Sequence, residues 1–347
     1  MKYKMNEKFI INTINSLKFI IIILIFSILY YIYFVYQYFN NSNQILLENN
    51  YGDNQGYHPK VIYFNKLWNG YKYWMAYTPY NNANCKKENP TINASNNLTK
   101  WYTPKGLKNP LDIPKDANHF HYNSDTHILY NIDTEKLELF WRFYNKENNK
   151  IKIIIYKMTS RNGVFWSKKK VFLKSENRLN HDYISPTIIY ENGIYKIWYV
   201  NHKKIYYLEK DGKMIKNNKI LNITFENNYY PWHLDIIFNK KKNIYEMVVC
   251  AYIDNFKNHG QMPLFYSSSK NNIIWNKPFI IMKPSKDPLK WDSKGIYRSC
   301  LLYENGYYYL FYSGHNIYRK TGIGLMYGKK INHLKPYIII DIFFKKY

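Results

Sequence analysis

Five positions in this 347-residue chain place two histidines, an aspartate, a serine and an arginine at the same point of a recurring pattern. His58, Asp125, Ser185, His233 and Arg298 each stand three residues ahead of an apolar triplet: Val61-Ile62-Tyr63, Ile128-Leu129-Tyr130, Ile188-Ile189-Tyr190, Ile236-Ile237-Phe238 and Leu301-Leu302-Tyr303. Two residues on, Lys60, His127, Thr187, Asp235 and Cys300 form a second column. Residues i and i+2 of an extended strand share a face, so the two columns point the same way. Polar residues at the start of a strand often mark only the exit from a loop, and that accounts for Ser185 and Thr187. It accounts less well for His58, Asp125, His233 and Arg298 with His127 and Asp235 behind them, because charged groups on inner strands are costly unless paired or used. Histidines among carboxylates suit divalent ions, and an arginine suits an acidic group.

The elements that must hold these residues are hairpins. In Ile184–Val200 a polar lead enters a short apolar strand, an Asn-Gly turn follows, and a strand rich in Tyr and Trp returns. Copies begin at Tyr57, Ser124, Trp232 and Tyr297, spaced by roughly 48 to 67 residues, as in solenoids and propellers. A second element, Ser95-Asn-Asn-Leu-Thr-Lys-Trp101, Ser160-Arg-Asn-Gly-Val-Phe-Trp166 and Ser269-Lys-Asn-Asn-Ile-Ile-Trp275, follows three of the hairpins and reads as the turn between a third and a fourth strand. The third unit has Leu208-Glu-Lys-Asp-Gly-Lys there instead; in the last, Gly322–Gly328 supplies the third strand and Pro336–Asp341 a further one. The pattern predicts an all-β, five-bladed β-propeller with the first strand of each blade lining the central channel. It does not show which strand closes the ring. Glu88 leads into the third strand of blade one, where its start overhangs the channel, and Trp232, beside His233, offers an aromatic platform.

These blade-entry and turn motifs, which cover nearly all of residues 57–330, resemble those of the five-bladed propeller glycosidases, glycoside hydrolase families 32, 43, 68 and 130. The resemblance implies a glycoside hydrolase with carboxylates on inner strands. They would lie about 5–5.5 Å apart for retention or about 6.5–9.5 Å for inversion of the sugar configuration. Asp125 matches a family position, which makes Asp125 with Glu88 or Asp235 the expected catalytic carboxylates. His58, His127, His233, Arg298 and Trp232 are then expected to bind substrate. His58 stands where family 43 enzymes usually have an Asp, and Ser185 where a Glu is expected, so a non-catalytic propeller that binds glycan is the alternative. No cofactor is called for beyond a structural divalent ion in the channel. A phosphate-transferring enzyme lacks support, for there is no Gly-rich phosphate loop and no βαβ pattern.

Ahead of the repeats, residues 17–39 form an apolar run of about 23 residues, enough for a tilted transmembrane helix. Lys2, Lys4 and Lys8 against Glu7 place residues 1–16 in the cytoplasm as the head of a signal anchor. Residues 40–56 read as an Asn-rich stalk and 57–347 as the propeller, on the extracytoplasmic or lumenal side. The formal charge of +26 is spread among Asn, Ile and Tyr rather than gathered in a patch, which disfavours nucleic acid and leaves an acidic glycan or anionic surface. Cys85, Cys250 and Cys300 fit neither a metal-site spacing nor a disulfide framework and read as buried thiols. Three Asn-x-Ser/Thr sequons, at Asn93, Asn97 and Asn222, arise readily by chance in so Asn-rich a chain.

Overall fold

The computed structural model describes residues 7–40, 43–148, 150–177, 182–253 and 262–337. It divides into two units, residues 1–42 and 43–347. The first contains one helix, α1 (Glu7–Asn40), which is longer at its start than the expected span. Its apolar stretch Asn12–Val35, 24 residues, is about 36 Å long, enough for a hydrocarbon core of about 30 Å.

The second unit is a β-propeller, as the repeats predict. A short strand β1 (Leu46–Leu47) precedes the first sheet, β2 (Tyr57–Trp68), β3 (Tyr71–Thr78) and β4 (Thr91–Ser95), and β5 (Lys100–Trp101) follows it. The second sheet has β6 (His121–Asn131), β7 (Lys136–Glu147), β8 (Lys150–Ser160) and β9 (Lys170–Asn177). The third has β10 (Ile184–Glu191), β11 (Ile194–Asn201), β12 (Lys204–Asp211) and β13 (Met214–Ile220). The fourth has β14 (Tyr229–Asn239), β15 (Ile244–Ile253), β16 (Leu264–Ser269) and β17 (Phe279–Met282). The fifth has β18 (Gly295–Glu304), β19 (Tyr307–His315), β20 (Thr321–Gly328) and β21 (Lys335–Pro336). Most of the tail expected as a strand, 338–341, lies outside the described residues.

Local chemistry explains the hairpins. Asn69-Gly70, Asn192-Gly193 and Asn305-Gly306 each join the first two strands of a sheet with both residues at positive φ, the two-residue turn that asparagine and glycine favour. The Ser-x-Asn turns are built alike. Trp101, Trp166 and Trp275 donate from the indole to the carbonyls of Leu98, Gly163 and Asn272, while Asn97, Asn162 and Asn271 accept from backbone N–H groups two and three residues on.

The first strands touch in cyclic order, β2 to β6, β10, β14, β18 and back to β2. The stalk expected over 40–56 is instead, from Asn43, part of the propeller. Ile45 donates to Ile323 and Leu325 to Asn43 on one side; Leu46 donates to Thr99 and Glu48 to Trp101 on the other, each at 2.7–2.9 Å. This segment joins the fifth sheet to the first, and Ile45 and Leu47 are buried in that seam. Carboxylate–phenol contacts hold three further junctions, Tyr195 on Glu138, Tyr245 on Glu191 and Tyr308 on Glu246, and Tyr73 on Glu304 adds a fourth such contact to the seam itself.

Candidate active site

The first-column residues are aimed by bulges. The β2–β3 register skips between Tyr57 and Lys60, β6–β7 between Ser124 and His127, and β10–β11 between Ile184 and Thr187. At each skip the first-column residue is left-handed, with φ of 53° at His58, 50° at Asp125 and 54° at Ser185. Such strain costs on the order of 1–3 kcal/mol and persists where the surroundings enforce it, commonly at functional sites. β14 and β18 skip at Pro231–His233 and Ile296–Ser299 without a left-handed residue.

Three of the five column residues converge. Asp125 Oδ1 lies 3.0 Å from His233 Nδ1 and 3.8 Å from His58 Nε2, with Arg298 Nη1 behind it at 3.7 Å. His58 Nδ1 is 3.0 Å from Glu88 Oε1 and 3.0 Å from Thr78 Oγ1. His58, Glu88, Asp125 and His233 are all buried. Yet His58 Nε2, Asp125 Oδ1 and both nitrogens of His233 lack a hydrogen-bond partner; the close His233–Asp125 approach is not aligned for one. Burial pushes the Asp125 carboxyl up, but His233, His58 and Arg298 outweigh it and hold the group well below the usual carboxylate range. Burial raises Glu88 against the lowering effect of His58, and it lowers His233 against the raising effect of Asp125.

This donor set fits a divalent ion. His58, Asp125 and His233 each offer a ligand atom, all within 4.8 Å of one another. Two imidazoles and one carboxylate form a common transition-metal set. Metal-bound histidines almost always rest their other ring nitrogen on a carboxylate, carbonyl or water, and His58 rests its own on Glu88.

The cluster opens into a cavity of about 280 Å³ walled by Tyr80, Tyr122, Arg142, Trp232 and Tyr297. Trp232 donates to Tyr297 Oη at 2.9 Å, and the Tyr297 ring stands 4.2 Å from that of His233. Trp232, expected as an aromatic platform, lines this cavity. At the same cavity Cys85 Sγ meets His119 Nδ1 at 3.2 Å, and burial pushes the thiol up.

The second column lies outside the cavity. Asp235, expected as a catalytic carboxylate, is clamped by Lys60 Nζ at 2.7 and 2.8 Å and accepts from the Leu301 N–H, so its oxygens are already in use. His127, expected to bind substrate, shares its Nε2 with the backbone of Ile188 and does not line the cavity. Arg298 is fully buried, donates to the Pro186 carbonyl and backs Asp125 rather than facing the opening. Ser185 is spent on the backbone of Leu234. Among the residues the columns did not single out, Arg142 carries a signal, a lone cation within the apolar run Leu139–Tyr144. Tyr80, Tyr122 and Tyr297 carry none in a chain with 39 tyrosines.

No protein-family model matches the chain. Among curated proteins it is similar to an A type blood N-acetyl-α-D-galactosamine deacetylase of Flavonifractor plautii, 25% identical over 305 residues, 74% of this chain and 39% of that protein. The chain thus spans about two fifths of the relative's length. Among solved structures, an N-acetylgalactosamine deacetylase from F. plautii in complex with blood group B trisaccharide superposes with a TM-score of 0.71 at 21% identity, over 82% of this chain and 93% of that one. A thermostable family-43 glycoside hydrolase follows at 0.58 and 12% identity, over 85% and 95%. An exo-1,5-α-L-arabinanase from a bovine ruminal metagenomic library gives 0.52 and 12%, over 79% and 92%. The chain has the propeller fold of the family-43 glycosidases, a fold it shares with the F. plautii deacetylase.

Proposed function

We propose that the chain is a membrane-anchored, glycan-active hydrolase whose His58–Asp125–His233 centre removes an acyl group, such as the acetyl of an acetamido sugar, with the aid of a divalent ion. The observation that carries this reading is the convergence of three buried donor atoms without hydrogen-bond partners on three different strands. The likeness to an N-acetylgalactosamine deacetylase supports it. A divalent ion held there by His58, Asp125 and His233 would supply Lewis-acid polarisation of an acyl carbonyl and a bound water of lowered pKa.

The protein's own groups do the rest. Glu88 accepts from the Nδ1–H of His58 and so fixes the tautomer whose Nε2 lone pair faces Asp125. His233 and His58, with Arg298 behind them, favour the ionised form of Asp125. Trp232 and Tyr297 offer flat apolar surface to a sugar ring. Glu88, raised by burial and lining the same cavity, is the group we assign to exchanging a proton with the leaving nitrogen or oxygen. The helix α1 would anchor the chain with its N-terminus in the cytoplasm and the propeller on the far side.

The second reading is the glycosidase. It draws on one observation: two carboxyls of the cavity have been pushed apart, Glu88 upward and Asp125 downward, as an acid and a base would be. The test is to incubate the full-length chain with N-acetylhexosaminides and aryl glycosides, with and without chelator, and to assay acetate and reducing sugar separately. Acetate release that stops with chelator, and in Asp125→Asn and His233→Ala, is expected. Sugar release indifferent to chelator but lost in Asp125→Asn and Glu88→Gln would replace the first reading with the second.

A further inference from the structure

The cavity has a basic wall that the chemistry above does not use. Arg142 stands on β7, paired across the sheet with Ser124, the neighbour of Asp125, and its side chain lines the cavity with Glu88 and Tyr122. Only 3% of it is exposed. Its Nε donates to the Asp182 carbonyl at 3.1 Å, and the guanidinium lies 5.5 Å from the centre of the Tyr144 ring. Nη2, however, is buried without a hydrogen-bond partner.

Other cations described in this propeller have a carboxylate beside them, although Arg298 also keeps Nε and Nη1 without hydrogen-bond partners. Buried Lys60 has Asp235 at 2.7 Å, half-buried Lys157 has Glu138 at 3.0 Å, and buried Arg298 has Asp125 at 3.7 Å. Among the described residues no carboxylate stands within ion-pair distance of Arg142. A buried guanidinium with an idle donor is expensive to keep unless something else takes that place. Its planar fork matches a carboxylate or a sulfate, both of which accept two parallel hydrogen bonds.

We propose that Arg142 receives an anionic substituent, a carboxylate or a sulfate, on the sugar that enters the cavity, so that the substrate is an acidic glycan. This rests on the cavity being a glycan site. The surplus of 26 positive charges adds long-range attraction for a polyanion without choosing among its sugars; Arg142 does the choosing.

The test measures binding, not turnover. The full-length chain is titrated calorimetrically with methyl glucuronide, 6-sulfated methyl glucoside and neutral methyl glucoside. At least one acidic ligand should bind roughly tenfold or more tightly than the neutral one. The better of the two identifies the natural anion, and Arg142→Met should erase the preference. If Arg142→Met does not fold, Arg142→Gln keeps a donor for the Asp182 carbonyl and gives the same readout. Equal binding of all three ligands, no binding of either acid, or a preference that survives in the variant overturns the proposal. Acetate release from neutral substrates with no acid preference would remove this proposal and leave the hydrolase reading standing. An acid preference without any hydrolysis would do the reverse.

Discussion

His58 ties Glu88 to Asp125: its Nδ1 lies 3.0 Å from Glu88 Oε1 while its Nε2 lies 3.8 Å from Asp125 Oδ1. Glu88 therefore reaches the centre through an imidazole. Glu88→Gln keeps the size of the side chain but weakens its hold on Nδ1–H, and outer partners of this kind are worth about 10–100-fold in metal affinity. Zinc or manganese titrated into the chelator-stripped chain should bind weaker by about that factor in Glu88→Gln and hardly at all in Asp125→Asn. Unchanged affinity in Glu88→Gln would show that Glu88 does not orient His58.

Asp235 has a different fate, because Lys60 holds both its oxygens. Removing one member of a buried pair strands the other charge and costs about 3–5 kcal/mol, whereas replacing both with apolar groups is often neutral. Asp235→Asn should lower the denaturation midpoint sharply, and Lys60→Met with Asp235→Leu should recover most of the loss. Both changes leave the cavity lining intact, so any activity of the refolded double variant should stay near that of the parent. Sugar or acetyl release abolished in a stable double variant would return Asp235 to the catalytic set.

The repeat and its turns are legible in the sequence because each is a local matter. Asn-Gly hairpins, the Ser-x-Asn turn with its Trp and the alternation of strands act within a dozen residues. The first column is legible too, since His58, Asp125 and His233 hold one place in three copies. What separates them from Asp235 and His127 is long-range pairing. Lys60 and Asp235 are 175 residues apart, and only the closed ring brings them together. Bulges add a second obstacle: the left-handed turn at His58 and Asp125 re-aims a side chain that plain alternation places with Lys60 and His127. The seam strand reads as a stalk in the sequence because Ile45-Leu46-Leu47, set between Asn-rich stretches, is too short to show a periodicity.

Acid should loosen the fold through its buried histidines. His315, against Tyr57 Oη at 2.5 Å, is lowered to about 4 by burial and the nearby Lys294. It is thus neutral in the fold at pH 5 and protonated in the unfolded chain, whose imidazoles titrate near 6.5. A group with a depressed folded pKa contributes stability that is full above the unfolded value and is lost as pH falls, here from about 6.5 to 4. His127 and His233, also lowered by burial, act in the same direction. Urea midpoints should therefore fall steadily from pH 7 to pH 4.5, and His315→Gln should show a shallower slope. A slope unchanged in His315→Gln would mean that His315 does not contribute to the loss of stability.

The seam strand makes a prediction about truncation. Ile45 is fully buried and Leu47 nearly so, and fully burying such a side chain contributes about 1.5–3 kcal/mol. Four backbone hydrogen bonds run from this segment to Ile323, Leu325, Thr99 and Trp101. Removing it takes away on the order of 5 kcal/mol, comparable to the whole stability of an ordinary domain. It also exposes the edge of β20, an unpaired row that invites association. A chain beginning at Asn43 should fold and melt cooperatively, whereas one beginning at Asn50 should melt far lower or aggregate. Equal melting temperatures for the two would mean that the ring holds without the seam, and that the contacts among β2, β18 and their neighbours suffice to close it.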